Sequence, residues 1–259
     1  MKLFSKTALL ALALALASTL PSAQAVGNLV DLSIVDRNTG ETLPIHVHQG
    51  QYWIAGTPGH RYGITLASGL YERSLTVVSV DGINAVSGET AAWDQTGYVL
   101  GERQNTQITG WRKSNTQVAA FVFTALPRSY AARTGRPQNV GSIGIATFRE
   151  RAVPPPPVIM PYHSDESLSD KAASRASGAP APAAEREKLG TGHGQREHSA
   201  VTFTDFERAN PRPDDVVVIR YDSRDNLIAL GIIPAPRPRA QPNPFPGNPG
   251  FVPDPPAHW

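Results

Sequence analysis

The chain has 259 residues, with 24 Lys and Arg against 22 Asp and Glu, seven histidines and no cysteine. Two of the lysines, Lys2 and Lys6, lie in an export-type leader, so basic and acidic residues balance at 22 each beyond it. This balance argues against nucleic acid as a partner, because such proteins cluster Lys and Arg to neutralise phosphates. The lack of cysteine excludes a disulfide framework and a cysteine-linked lipid anchor, so the fold must rest on its core.

Residues 1–25 read as a cleavable signal peptide: a positive start, only Ala and Leu from Ala8 to Ala17, and the small-x-small site Ala23-Gln24-Ala25. The apolar run is shorter than the roughly 20 residues needed to span hydrocarbon, so no membrane span is expected. Cleavage before Val26 and a periplasmic or secreted destination follow as expectations.

From residue 26 to 151 the pattern predicts a β-sandwich core, with short apolar runs and turn residues recurring about every ten positions. Strands are expected over Asn28–Asp36, Leu43–His48 (extended by Gln51–Ala55), Arg61–Ala67 and Ser74–Val80. The last run is nearly continuous, as in a strand covered on both faces. Asp81-Gly82 before Ile83 predicts a type I′ hairpin turn, which needs positive φ at both central residues. Further strands are expected over Trp93–Leu100, Gln104–Trp111, Val118–Thr124 and Ser142–Arg149, with one helical turn at Ser129–Arg133.

At Pro154 four prolines open a segment in which seven of the thirteen residues from Ala172 to Ala184 are alanine, broken by Gly178, Pro180 and Pro182. Residues 152–187 read as a disordered linker. Residues 188–233 read as a C-terminal β-hairpin docked on the core. Val216–Tyr221 runs out, Ser223–Asn226 turns, Leu227–Ile233 returns, and Val201–Phe206 is a short strand before them. Residues 234–259 hold ten prolines and read as a disordered tail.

Candidate sites are few. His46 and His48 lie two apart in a strand, which turns both rings to one face and Ile45 and Val47 to the core. Such a pair can chelate zinc, although solvent-facing polar residues fit the same alternation. The string Leu189-Gly190-Thr191-Gly192-His193-Gly194-Gln195-Arg196-Glu197-His198 has the wrong glycine spacing for a dinucleotide fingerprint. It also has three residues, not two, between His193 and Glu197, and so misses the inverted zinc-protease motif. It fits either close packing against a sheet or a binding loop at Gly192, His193 and Gly194. Trp53, Trp93 and Trp111 read as core fillers or stacking platforms. Trp111, beside Arg112 and Lys113, is the best placed for a cation–π or anionic-ligand site. No nucleophile motif is present, since Gly141-Ser142-Ile143-Gly144 has the wrong spacing.

Val80-Asp81-Gly82-Ile83-Asn84 with Ser87-Gly88, Gly97-Tyr98-Val99-Leu100 leading to Gly110-Trp111-Arg112, and Ser129-Tyr130-Ala131-Ala132-Arg133 resemble strings of a group of exported bacterial β-rich proteins. Gly190 to Glu197 and Tyr221-Asp222-Ser223 extend the resemblance, which spans roughly 60–150 and 188–233. The resemblance implies a shared domain but no activity, cofactor or functional residue. The expected function is a non-enzymatic binding or structural module of the cell envelope, its partner a protein or envelope component, with no cofactor. The alternative is a metal-dependent hydrolase using His46 and His48, or His193 and His198.

Overall fold

A computed structural model describes residues 25–152 and 188–235. The predicted signal peptide, linker and most of the proline-rich tail lie outside them. The chain is mainly β, and its two sheets face one another as a sandwich. In order, β1 is Val30–Asp36, β2 His46–His48, β3 Gln51–Gly56, β4 Arg61–Ser68, β5 Ser74–Val80 and β6 Ile83–Asn84. They are followed by β7 Tyr98–Leu100, β8 Asn105–Ile108, β9 Gly110–Arg112, β10 Gln117–Ala125 and the short helix α1, Tyr130–Arg133. The remaining elements are β11 Ser142–Arg149, β12 Leu189–His198, β13 Asp215–Ser223 and α2, Arg224–Ala229.

The first sheet runs β1-β4-β10-β12, with β8 on β4 and β9 on β10. The second runs β2-β3-β13-β11-β5-β6, with β7 also on β5. All strand pairings are antiparallel except β13 with β3. Leu32, Ile34, Tyr62, Ile64, Phe121 and Phe123 of the first sheet meet Ile54, Val78, Val80, Ile143, Ile219 and Tyr221 of the second. A smaller cluster, Leu75, Val77, Ala146 and Phe148, covers the opposite face of the second sheet, so β5 is buried on both sides as its sequence predicts. Asp81 and Gly82 take φ 53° and 74°, the type I′ turn that returns Ile83 onto Val80.

Several expectations are corrected. The run Leu227–Ile233 does not return as a strand, so there is no C-terminal β-hairpin. Ser223 turns the chain into α2, its hydroxyl accepting the Asn226 N–H at 3.2 Å, with Asp225 in the first turn. Nor do residues 188–233 dock on a finished core: β12 joins the first sheet, and β13 lies inside the second between β11 and β3. Val201–Phe206 is extended but unpaired into any strand, and Phe203 is 81% exposed. The glycine-rich string is itself strand β12. Val47 is 64% exposed on the edge strand β2, so it does not turn to the core. Trp93 stands exposed in a loop ahead of the much shortened strand β7, while the predicted strand Gln104–Trp111 is split at Thr109, whose carbonyl accepts the Phe121 N–H.

Candidate functional site

The glycine string is explained from its middle residue. Thr191 points inward, fully buried, and its hydroxyl sits 2.6 Å from the hydroxyls of both Tyr62 and Tyr221. Tyr221 donates to Asp81 Oδ1 at 2.6 Å, while the N–H groups of Gly141 and Thr191 donate to Oδ1 and Oδ2 at 2.9 and 2.8 Å. With Asp81 ionised, every hydroxyl proton in the chain Tyr62, Thr191, Tyr221 can point toward it, so no polar atom is left unpaired. Burial nevertheless pushes the Asp81 carboxyl up from 3.8 to about 6, and burial together with the Asp81 charge pushes the Tyr62 and Tyr221 phenols well above their ordinary value. This chain ties β12 of one sheet to the β5–β6 turn and β13 of the other.

Small residues flank Thr191 because the neighbours come close. A Cβ on Gly190 would lie 2.7 Å from Ser129 Cβ and Val140 Cγ1, and one on Gly194 would lie 2.7 Å from Val122 Cγ2. Ser129 caps α1, accepting the Ala132 N–H at 3.1 Å, so the glycine contact sets where α1 rests on the sheet.

His193 pairs with Phe121 and shares its inward face, but on the edge strand, where the core ends. Its ring therefore emerges at a lip beside Tyr130, 5.9 Å between centroids. Tyr130 is backed by Trp111 at 5.0 Å, and the Lys113 ammonium lies 5.5 Å from its ring centre. A pocket of about 280 Å³ opens there, lined by Arg128, Tyr130, Arg133, Thr134 and His193. No carboxylate is among the lining residues. The cations press on one another. The Lys113 amine is held below its ordinary value by burial and by Arg196, and the His193 imidazole by burial, Lys113 and Arg196.

The structure thus brings two of the sequence candidates together, Lys113 and His193, and removes two others. Trp111 is only 2% exposed, packed edge-on against Phe121 at 5.1 Å, so it supports Tyr130 from below and cannot itself stack on a ligand. Arg112 turns away to the Ser199 carbonyl and hydroxyl, at 2.5 and 3.3 Å. Gly192 and Gly194 leave room for Thr124 and Val122, whose Cγ2 atoms lie 3.2 and 2.7 Å from where a Cβ would stand. Arg128, Tyr130, Arg133 and Arg196 carry no binding motif in the sequence. Two arginines flanking a tyrosine in Arg128-Ser129-Tyr130-Ala131-Ala132-Arg133 carry the signal, but only the β12 contact makes them one surface.

His46 and His48 lie on the edge strand β2, and His193 and His198 on β12; among the described residues no three His, Asp or Glu side chains form a metal-binding group. A separate imidazole–carboxylate pair joins His60 Nδ1 to Asp36 Oδ2 at 2.7 Å. Burial alone would raise the Asp36 carboxyl, but His60 and the N–H groups of Asn38 and Thr39 outweigh it and hold it low. No described serine or threonine hydroxyl is hydrogen-bonded to the His60 ring as a nucleophile would be. No helix among the described residues is long and apolar enough to cross a membrane. The chain matches no family model, no curated protein and no solved structure.

Proposed function

We propose that the protein is an exported, non-enzymatic binding module of the bacterial cell envelope that holds an anionic partner at the Tyr130 lip. One observation carries the reading: Arg128, Arg133 and His193 line a pocket around the supported Tyr130 ring, Lys113 lies against that ring, Arg196 presses on Lys113 and His193, and no carboxylate is among the lining residues. Elsewhere several surface arginines are paired with carboxylates, as Arg37 and Arg61 are with Glu197 at 2.7 and 3.1 Å. Leaving positive groups clustered and uncompensated costs free energy in the free protein, and an anion removes that cost. The leader-like residues 1–25 and the likeness to exported proteins support the destination.

Retention on an immobilised polyanion, dextran sulfate, tests this. The mature protein should be held at low salt and released as salt rises, and a variant carrying Arg128→Glu with Arg133→Glu should pass through while keeping its circular dichroism spectrum. Equal retention of the two proteins would overturn the assignment of the lip.

A further inference from the structure

We infer that the Tyr130 lip recognises a phosphomonoester carried on a sugar ring, the phosphate facing Arg128, Arg133, Lys113 and His193 and the ring lying against Tyr130. The inference rests on the anionic-partner reading above and narrows it to one ligand chemistry.

The donor inventory is the first argument. The side chains of Arg128, Arg133 and Lys113 make no hydrogen bond or ion pair among the described residues, so two guanidinium forks and an ammonium are free to donate. Thr134 adds no further demand, because its hydroxyl is already given to the Tyr130 and Ala131 carbonyls at 2.9 and 3.2 Å. A site made of donors wants a ligand made of acceptors. A carboxylate brings one charge and two oxygens, whereas a phosphomonoester brings about −1.5 to −2 charges and three terminal oxygens. With Arg196 the fourth cation around His193, the second ligand answers more of the positive charge.

The second argument is shape. About 280 Å³ holds a phosphate with one attached ring but not a folded partner. Tyr130 cannot turn freely, since Trp111 packs against it at 5.0 Å and both are fixed by β9, β10 and α1. An aromatic wall held still beside a cluster of cations suits a ligand with one charged end and one ring with an apolar face. Around His193 the charged and titratable groups are Lys113 from the end of β9, Arg196 from its own strand, and Tyr130, Arg128 and Arg133 from the α1 segment. A dianion among them favours the imidazolium, so binding should take up a proton.

Calorimetric titration of the full mature chain with glucose 6-phosphate, glucuronate and glucose near pH 7 tests the inference, with the His193 ring followed by NMR. Glucose 6-phosphate should bind at least about tenfold more tightly than glucuronate, as charge-assisted bonds to a dianion require. Glucose should not bind, and saturation with glucose 6-phosphate should raise the His193 pKa. The exposed substitution Arg133→Gln should weaken glucose 6-phosphate and inorganic phosphate alike, and Tyr130→Leu should weaken only the sugar phosphate. Glucuronate binding as tightly as glucose 6-phosphate overturns the phosphate assignment and leaves the anionic reading standing. The sugar assignment is overturned if Tyr130→Leu binds glucose 6-phosphate unchanged. Failure of all three probes by a protein that dextran sulfate still retains overturns this inference alone; failure of both overturns the wider reading.

Discussion

Replacing Asp81 with asparagine separates the charge of that residue from its shape. Burial lifts the carboxyl from 3.8 to about 6, although Tyr221, Thr191 and Gly141 all pull it down. A carboxyl whose folded pKa exceeds its unfolded value binds its proton more tightly in the fold. Its stabilising contribution is complete below pH 3.8 and is lost as pH rises through about 6. That interval corresponds to about 3 kcal/mol between acid and neutral conditions. Asparagine has no such slope. It keeps one oxygen for Gly141 and Tyr221 but turns an amide toward the Thr191 N–H, and that orphaned donor costs about 1–3 kcal/mol at every pH. Asp81→Asn should therefore be clearly less stable than the parent at about pH 3.5 and close to it at about pH 7.5, the difference between the two proteins shifting by about 2–3 kcal/mol. Urea unfolding followed by tryptophan fluorescence at both pH values measures this. The comparison cancels the other titrating groups, including Asp36, whose lowered carboxyl contributes stability that is lost as pH falls. A stability difference that stays the same at both pH values would refute the account of the buried chain.

Three further outcomes are expected. Gly190→Ala drives a methyl into Ser129 and Val140 and should cost about 1–3 kcal/mol in thermal or urea unfolding, weakening anion retention as well because α1 shifts. Leu227→Ala removes a fully buried side chain that holds α2 to the fold and should cost about 2–5 kcal/mol by the same measurement. Limited proteolysis between residues 172 and 184 should leave two fragments that co-elute on gel filtration without denaturant, because β12 and β13 are laddered into both sheets; separation under native conditions would contradict that pairing.

Much of the sandwich is legible in the sequence where burial alternates or runs unbroken. Ser74–Val80 and Ser142–Arg149 are expected and found with the same bounds, and Asp81-Gly82 forms the turn its chemistry demands. The failures are tertiary. Leu189–His198 carries three glycines, which weaken any strand signal, yet it pairs along β10 because Ser129, Val140 and Val122 need the space those glycines leave. Ser223-Arg224-Asp225-Asn226 signals a turn and a helix start equally well, and only six residues of helix follow, too few for their period to show. The candidate site was half visible. Lys113 and His193 stood out singly, but they meet only because β9 and β12 flank β10, and Arg128 and Arg133 join them only because α1 packs on β12. Trp111 looked like a ligand platform because a tryptophan beside two cations reads alike whether its ring faces in or out.

The position of β13 has a consequence for how the molecule is made. Residues 26–152 can form neither sheet in full: β10 lacks a neighbour along most of one side, and the β2–β3 hairpin has no link to β11 until residues 215–223 slide between them. Pairings between positions more than a hundred residues apart close late, because the chain loop must be drawn in before any contact repays it. A chain emerging from its amino end thus leaves its two sheets incomplete until β12 and β13 arrive. The delay makes β13 the clasp that joins the two parts of the second sheet.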